Sequence, residues 1–211
     1  MPSTSVKNPW RNIWVRPKET IRQIVSKNPK FRLFWLYFIY GLPMTLSFSQ
    51  SYSLINAIPL WTILIAALIV SPFIGAAGVT IASWLIQWTG RWIGGKADFQ
   101  NIRAAFAWAQ VPNILSILMW ILLLICFGGN VFTKAFSEMQ FVGSAAGIVF
   151  VVFLVQTIAM IWGLVILCHT LGEVQGFSAW KGLLNVVIPF VILVAVIWFV
   201  GWILYGRGSI Q

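Results

Sequence analysis

The chain has 211 residues, of which 60% are hydrophobic and 9% are charged, and its formal net charge is +10. Soluble domains average roughly 25% charged residues, so this composition excludes a water-soluble globular protein. Charged residues are missing from four long runs, 33–90, 104–133, 139–168 and 182–206. A bilayer core about 30 Å thick needs roughly 20 helical residues per crossing, and the runs do not alternate as barrel strands do. We therefore expect membrane-spanning helices.

Residues 1–32 form a basic segment ahead of the first apolar run. Asn8-Pro9 is typical of a helix start, Arg16-Pro17 predicts a break, and apolar residues between the prolines recur at helical spacing. We expect two short amphipathic helices on the cytoplasmic membrane surface, with tryptophans among the lipid headgroups. Each basic residue there contributes on the order of 1 kcal/mol on an anionic leaflet. The residues expected to contact anionic lipid are Lys7, Trp10, Arg11, Trp14, Arg16, Lys18, Arg22 and Lys27. The alternative is a solvated charged tail.

The apolar runs predict an all-α integral membrane protein, a five-span helix bundle over residues 33–205. The predicted spans lie near 33–54, 60–87, 104–128, 141–168 and 183–205. The first run is long enough for two spans, and "NAIP" (56–59) is the expected turn between them. The first span begins too late for a cleavable signal peptide, so we expect it to act as the insertion signal. Residues 206–211 form the tail.

The basic residues are distributed unevenly between the two sides of this bundle. One side carries Lys7, Arg11, Arg16, Lys18, Arg22, Lys27, Lys30, Arg32, Arg91, Lys96, Arg103 and Lys181, and the other carries Lys134 and Arg207. Short loops rich in Lys and Arg stay in the cytoplasm, so the N-terminus is expected to be cytoplasmic and the C-terminus external. Because the charges lie beside spans and no nucleic-acid-binding motif accompanies them, nucleic acid is not an expected partner.

The two longer cytoplasmic loops resemble each other. Each has an aromatic residue, a basic residue four positions later and a proline eight or nine positions after that: Phe99, Arg103 and Pro112 in one loop, and Phe177, Lys181 and Pro189 in the other. The first span carries Pro43 in a similar place. A proline inside a spanning helix frees a carbonyl and kinks the helix. These kinks either shape packing or make room for a cavity that holds a lipid or solute.

The proposed spans contain no Asp, Glu, Lys, Arg or His in their cores. Ion-coupled carriers usually need such a group, so coupling to protons is not expected. The polar residues at depth are Gln110, Asn113, Gln156, Thr157 and Asn185. Their expected use is hydrogen bonding between helices. The alternative is a polar lining for an uncoupled pathway.

Small residues in two spans predict close helix packing. "GSAAG" is a GxxxG motif formed by Gly143 and Gly147, and "SPFIGAAG" places Gly75 on a second small-residue face. Such faces let backbones approach closely, within one chain or between copies, as in a homo-oligomer or with other membrane proteins.

Candidates for catalysis or metal binding are few. The single histidine, His169, follows Cys168, with Glu173 nearby, but neighbouring residues on a helix point to different faces. No second histidine completes a metal site, and nucleophilic catalysis would need these three side chains to converge. Cys126 and Cys168 are expected on opposite membrane faces and therefore unpaired. We predict no enzyme activity, metal or cofactor.

The chain resembles the Yip-one domain family of Ypt/Rab-interacting membrane proteins. The resemblance lies in "NPWRNIWVRPKETIRQIV" before the first span, "GGKADFQNIRAAFAWAQVP" into the third, and "LGEVQGFSAWKGLLNVVIP" into the fifth. Eukaryotic members are Golgi and endoplasmic-reticulum proteins that bind Rab GTPases through a longer cytosolic region. This chain has about thirty residues there and lacks their acidic Asp-Leu-Tyr-Gly-Pro motif. The resemblance thus implies the compact bacterial branch, located in the inner membrane, rather than Rab binding.

Two functions are consistent with these features of the sequence. The first is a non-enzymatic membrane protein that organises membrane or binds partner proteins and lipids through its basic cytoplasmic face. The alternative is a small uncoupled permease or lipid-handling protein with a cavity between proline-kinked helices. A cavity reaching Gln110, Asn113 or Gln156 would favour the alternative, and a tightly filled centre would favour the first.

Overall fold

The structure is a computed structural model that describes residues 8–134, 136 and 143–206, and it is helical with no strand in those ranges. The helices are α1 (Pro9–Val15), α2 (Pro17–Lys27), α3 (Leu33–Ser51), α4 (Leu60–Trp92), α5 (Phe99–Ala109), α6 (Asn113–Phe127), α7 (Gly143–Gln175) and α8 (Ala179–Gly206). Two 3₁₀ turns, Leu54–Asn56 and Gly128–Phe132, follow α3 and α6.

Four helices among the described residues are long and apolar enough to cross a membrane. They are Leu60–Trp92, Asn113–Phe132, Gly143–Gln175 and Ala179–Ile203. The prediction of an all-helical protein with several spanning helices is therefore confirmed. The remaining predicted span, over 33–54, corresponds to α3, a helix of 19 residues whose second half contains serine, threonine, glutamine and Pro43. The fifth crossing stays a prediction.

The third predicted span, 104–128, is two helices rather than one. α5 ends at Ala109 and α6 begins at Asn113, so the chain between them passes through a short irregular turn. Pro112 has no amide hydrogen to donate to Trp108. The turn tightens instead, with the Val111 amide 3.3 Å from the Trp108 carbonyl and the Asn113 amide 3.0 Å from the Gln110 carbonyl. One proline thus converts a predicted kink into a break.

α3 runs unbroken through Pro43, and in the two spanning helices that contain a proline a hydroxyl group lies near the freed carbonyl. Pro72 of α4 frees the Leu68 carbonyl, which accepts a hydrogen bond from Ser71 Oγ at 3.3 Å. Pro189 of α8 frees the Asn185 carbonyl, and Thr89 Oγ1 of α4 lies 3.3 Å from it. Each freed carbonyl therefore has a donor within reach, as a helix in hydrocarbon requires.

The tightest helix contact joins α3 and α4. α4 turns a buried row of mostly small residues toward the bundle: Ala67, Ser71, Gly75, Val79 and Ser83. A Cβ added at Gly75 would overlap the backbone carbonyl of Tyr37, and one added at Gly41 would overlap the carbonyl of Ser71. Without a hydrophobic force between helices in lipid, such backbone proximity is what makes packing favourable. The contact between α3 and α4 is therefore formed largely by backbone atoms of the two helices.

The buried apolar side chains form two separate clusters. One surrounds α5, whose residues from Ala104 to Ala109 are all buried, with Trp108 completely enclosed. The other lies farther along the bundle around Trp120 and Phe132, whose rings stack with centroids 5.8 Å apart. The gap between these clusters is where the candidate site lies.

The N-terminal helices pack on the bundle through the apolar stripe that was expected to face lipid, and their position at the membrane surface stays a prediction. Ile13 and Ile21 are completely buried in the cluster around α5. The ring of Trp10 lies 5.1 Å from that of Trp108. An amphipathic helix can bury its apolar stripe in lipid or in its own protein, and here α5 and α7 provide the apolar surface. The basic residues stay on the outer side.

Replacing Gly75 with alanine is expected to destabilise the fold. The new methyl group must displace backbone of α3, which typically costs about 1–3 kcal/mol for overpacking. Thermal unfolding in detergent measures the loss. Gly147→Ala is the matched control, because no atom lies within 4 Å of its added Cβ. Equal melting temperatures for the two variants would contradict the described α3–α4 contact.

Replacing Ile21 with alanine is expected to loosen the N-terminal helices from the bundle. Removing a fully buried isoleucine costs about 2–5 kcal/mol, and Ile21 is one of the buried residues through which the segment packs on the bundle. Limited trypsin digestion at its basic residues should therefore accelerate. Val15→Ala serves as the control because Val15 is 77% exposed. If both variants were cut at the rate of the parent protein, the segment would not depend on this buried face.

Candidate functional site: a cleft between α3 and α7

A cleft of about 880 Å³ lies between α3 and α7, and the junction of α5 and α6 forms its floor. Its side walls include Tyr40 and Met44 of α3 and Met160 and Leu164 of α7. Phe106 and Trp120 bound the floor, each belonging to one of the two apolar clusters. Ligand sites in proteins typically measure about 300–1,000 Å³. The space is therefore of the size that binds small molecules or part of a lipid.

The break in the third predicted span places polar side chains on the cleft floor. Gln110 and Asn113 flank the irregular turn, and the Asn113 amide donates to Gln110 Oε1 at 3.1 Å. A continuous helix would have rotated these positions differently relative to α7. The turn at Pro112 thus determines which groups face the cleft.

The α7 wall adds Gln156 and Thr157. Thr157 donates its hydroxyl to the Phe153 carbonyl of its own helix at 2.8 Å. The side chain of Gln156 is half-buried and makes no hydrogen bond within the part of the chain that the structure describes. Its amide therefore has free donors and acceptors beside an apolar environment, where an unmet hydrogen bond is costly. The described residues that line the cleft include no charged side chain.

The structure brings only some of the predicted packing and kink residues to this site. Pro43 and Gln156 line the cleft, whereas Pro189 lies on α8 and Gly75 lies against α3. The GxxxG pair is placed differently, since Cβ atoms added at Gly143 and Gly147 would meet nothing within 4 Å. That small-residue face packs against no other part of the chain that is described.

The similar loop motifs begin helices but do not meet in one site. Arg103 lies over the ring of Phe99, 5.7 Å from its centroid, at the start of α5. The Phe177 amide donates to the Gly172 carbonyl at 2.9 Å where the chain turns after α7. Lys181 is exposed at the start of α8. These residues position turns and helix starts.

The predicted lipid-contacting cations within the described residues are all exposed: Arg11, Arg16, Lys18, Arg22 and Lys27. Lys7 and the tail residues 207–211 lie outside the described residues. Arg16 pairs with Glu19 at 3.7 Å. Arg22 Nε lies 2.5 Å from Glu173 Oε1 of α7, and this hydrogen bond and charge raise the pKa of Arg22 above its usual value.

The candidate catalytic trio does not converge. Cys168 is buried, His169 Nδ1 lies 2.8 Å from the Val165 carbonyl, and Glu173 pairs with Arg22. Both cysteines are free thiols. In the described ranges, no group of three or more His, Cys, Asp or Glu side chains is placed to hold a metal.

A buried polar junction contains Asn185, one of the polar residues expected to hydrogen-bond between helices, but its partners on α4 and the nearby Gln175 were not predicted from the sequence. Thr89 Oγ1 lies 2.9 Å from Asn185 Oδ1, which links α4 to α8. The neighbouring Gln175 accepts a hydrogen bond from the Ala97 amide at 3.2 Å. The side-chain nitrogens of Gln175 and Asn185 have no hydrogen-bond partner among the described residues, and both approach Gly90. The proline four residues after Asn185 is the one signal that could have indicated a donor here.

Comparison with known proteins gives a single family. The Yip1 domain model matches residues 11–201, and thus covers both N-terminal helices almost completely and nearly all of α8. Neither the curated proteins nor the solved structures yielded a match. With nine-tenths of its length inside that match, this helical membrane protein belongs to the Yip1 domain family.

Proposed function

We propose that this Yip1-family membrane protein is non-enzymatic and handles lipids, and that it binds a bilayer lipid in the cleft between α3 and α7. The observation that supports this function is a cleft of about 880 Å³ with Gln110, Asn113 and Gln156 in its lining. A tightly filled bundle would have favoured a protein that acts only through its surface. The helices instead leave room beside polar groups at depth.

The lining indicates the chemical class of the ligand. The polar groups are hydroxyls and amides, among them Ser47, Ser116 and Gln156. A phosphate placed among them would be a buried charge without a partner, which is strongly unfavourable. Uncharged carbonyl, ester or hydroxyl groups could instead exchange hydrogen bonds with the amides. We therefore expect a neutral lipid, such as a diacylglycerol or a quinone.

The rim of the cleft supports loading from the membrane. Met44 is 49% exposed, and Phe153 and Met160 are each 67% exposed. These apolar side chains border the opening on α3 and α7, where acyl chains would surround a protein of this composition. Methionine side chains adapt their shape to varied apolar partners. The opening thus suits a flexible hydrocarbon chain.

The proposed orientation has five crossings, with α3 as the first. At about 1.5 Å per residue, its 19 residues extend close to the thickness of a bilayer core, and its backbone contact with α4 supports an antiparallel pair of spans. The uneven distribution of Lys and Arg supports a cytoplasmic N-terminus and an external C-terminus.

The second candidate function is the organisation of membrane or partner proteins through the basic face. The exposed cations of the N-terminal helices, among them Arg11, Lys18 and Lys27, favour it. Anionic lipid is the expected contact for these cations. This function can coexist with a lipid in the cleft because the two surfaces use different residues.

Replacing Gln156 with leucine is expected to reduce binding of a neutral lipid in the cleft. Losing one hydrogen-bonding group should lower labelling about two- to tenfold, the equivalent of about 0.5–1.5 kcal/mol. The measurement is photolabelling of the full chain in nanodiscs with a diacylglycerol that carries a diazirine in its acyl chain. Labelled peptides should come from the cleft walls, 153–167 and 106–120.

Gln87→Leu is the matched control, because Gln87 is half-buried on α4 and lies outside the cleft. It should label like the parent protein. Labelling spread evenly over α8 and α4, or an equal loss in both variants, would contradict a lipid-binding cleft.

Tags at the two ends of the chain are expected to be accessible from opposite sides of the membrane. An odd number of crossings requires this result, and the basic flanks predict that the N-terminal tag is cytoplasmic. Protease protection of the tags in intact and opened cells checks it. If both tags were accessible from one compartment, α3 would not cross.

A further inference from the structure

A second pocket, of about 460 Å³, lies where the N-terminal helices meet α7. Trp14, Val15, Arg16, Pro17, Lys18 and Glu19 form one wall, and Trp162, Val165, Ile166 and His169 form the other. Neither wall belongs to the cleft between α3 and α7. The pocket lies beside the break between α1, which ends at Val15, and α2, which begins at Pro17, and Arg16 is the connecting residue.

The two ends of this pocket differ in chemistry. The N-terminal wall carries Arg16 and Lys18, both exposed, and one carboxylate, Glu19, which lies 3.7 Å from Arg16. The α7 wall is apolar, and its Trp162 and Val165 side chains are 43% and 39% exposed. A charged end beside an apolar wall on a spanning helix fits an amphiphile better than a water-soluble ion.

We propose that this pocket binds one anionic phospholipid, with its phosphodiester at Arg16 and Lys18 and its acyl chains along Trp162 and Val165. The two cations and Glu19 leave one net positive charge, which matches the single negative charge of a phosphodiester. An arginine and a lysine are effective donors to phosphate oxygens. The site goes beyond the proposed function, since it is distinct from the cleft and takes a charged lipid.

Two neighbouring residues fit the same occupant. His169 donates from Nδ1 to the Val165 carbonyl at 2.8 Å, which leaves Nε2 to accept a hydrogen bond from a hydroxyl of a glycerol headgroup. Val15, between Trp14 and Arg16, is 77% exposed, which suits a residue touching acyl chains near the interface. Trp14 and Trp162 supply the aromatic rings that favour the headgroup region.

The consequence is that the lipid joins the N-terminal helices to α7. Its phosphate contacts the start of α2, and its chains contact α7, so it bridges two elements that Arg22 and Glu173 also link by charge. The segment predicted to lie on the membrane would then be attached to it by one specific lipid instead of by its apolar face.

Native mass spectrometry of the full chain in detergent with added phosphatidylglycerol tests the proposal. The parent protein should bind a first lipid molecule with a defined affinity. The double variant Arg16→Gln, Lys18→Gln should weaken that first binding step about tenfold or more, as expected for two cations contributing on the order of 1 kcal/mol each. Trp162→Leu should also weaken it, because the apolar wall is reduced.

Two controls make the result specific. Arg11→Gln with Lys30→Gln removes the same charge from positions outside the pocket and should leave the first binding step within about twofold of the parent. Gln156→Leu should also leave it unchanged, which separates this site from the cleft. Circular dichroism and melting temperature should show that all variants stay folded.

Three results would overturn the proposal. Equal weakening in the control pair would mean that the lipid responds to net surface charge. Displacement by glycerophosphoglycerol, which carries the headgroup without acyl chains, would mean that the site binds a free phosphate group. A parent protein with no distinct first lipid would mean that no such site exists.

Discussion

The hydrogen-bonding needs of the backbone govern the architecture of this protein. In hydrocarbon, every main-chain carbonyl needs a donor from the protein, and each proline removes one. Serine or threonine hydroxyls lie near the carbonyls freed by Pro72 and Pro189, and α4 and α8 stay continuous, as α3 does at Pro43. At Pro112 the chain changes to a tighter turn instead. That local solution exposes Gln110 and Asn113 beside α7, and the cleft of the proposed function depends on it.

Much of the fold could be predicted from local patterns in the sequence. Long apolar runs indicated the spanning helices, and Pro9 and Pro17 marked where the two N-terminal helices begin, because proline acts on its own neighbours. The partners of each face could not be predicted in this way. The spacing of Trp10 and Ile13 is the same whether the stripe meets lipid or Trp108, and only the tertiary structure distinguishes them.

Residues of the candidate site could also be predicted where a local pattern marked them, but their partners could not. Gln110, Asn113 and Gln156 stood out because amides are costly in an apolar span, and all three line the cleft. Similar loop motifs gave different outcomes: a turn at Pro112 separates α5 from α6, whereas α8 continues through Pro189 with the Thr89 hydroxyl near the freed carbonyl. Gly143 and Gly147, by contrast, have the spacing of a GxxxG motif, but no neighbouring helix among the described residues packs against them.

Because the cleft opens sideways between α3 and α7, the concentration that determines how often a lipid occupies it is the one in the membrane. A molecule dissolved in the leaflet reaches such a lateral opening by two-dimensional diffusion and never has to leave the hydrocarbon of the bilayer. Its relevant concentration is then a mole fraction among its lipid neighbours, which for a minor component is far above anything attainable in water. Even feeble intrinsic attraction, from a few dipoles, would therefore keep the space filled, and exchange could remain rapid.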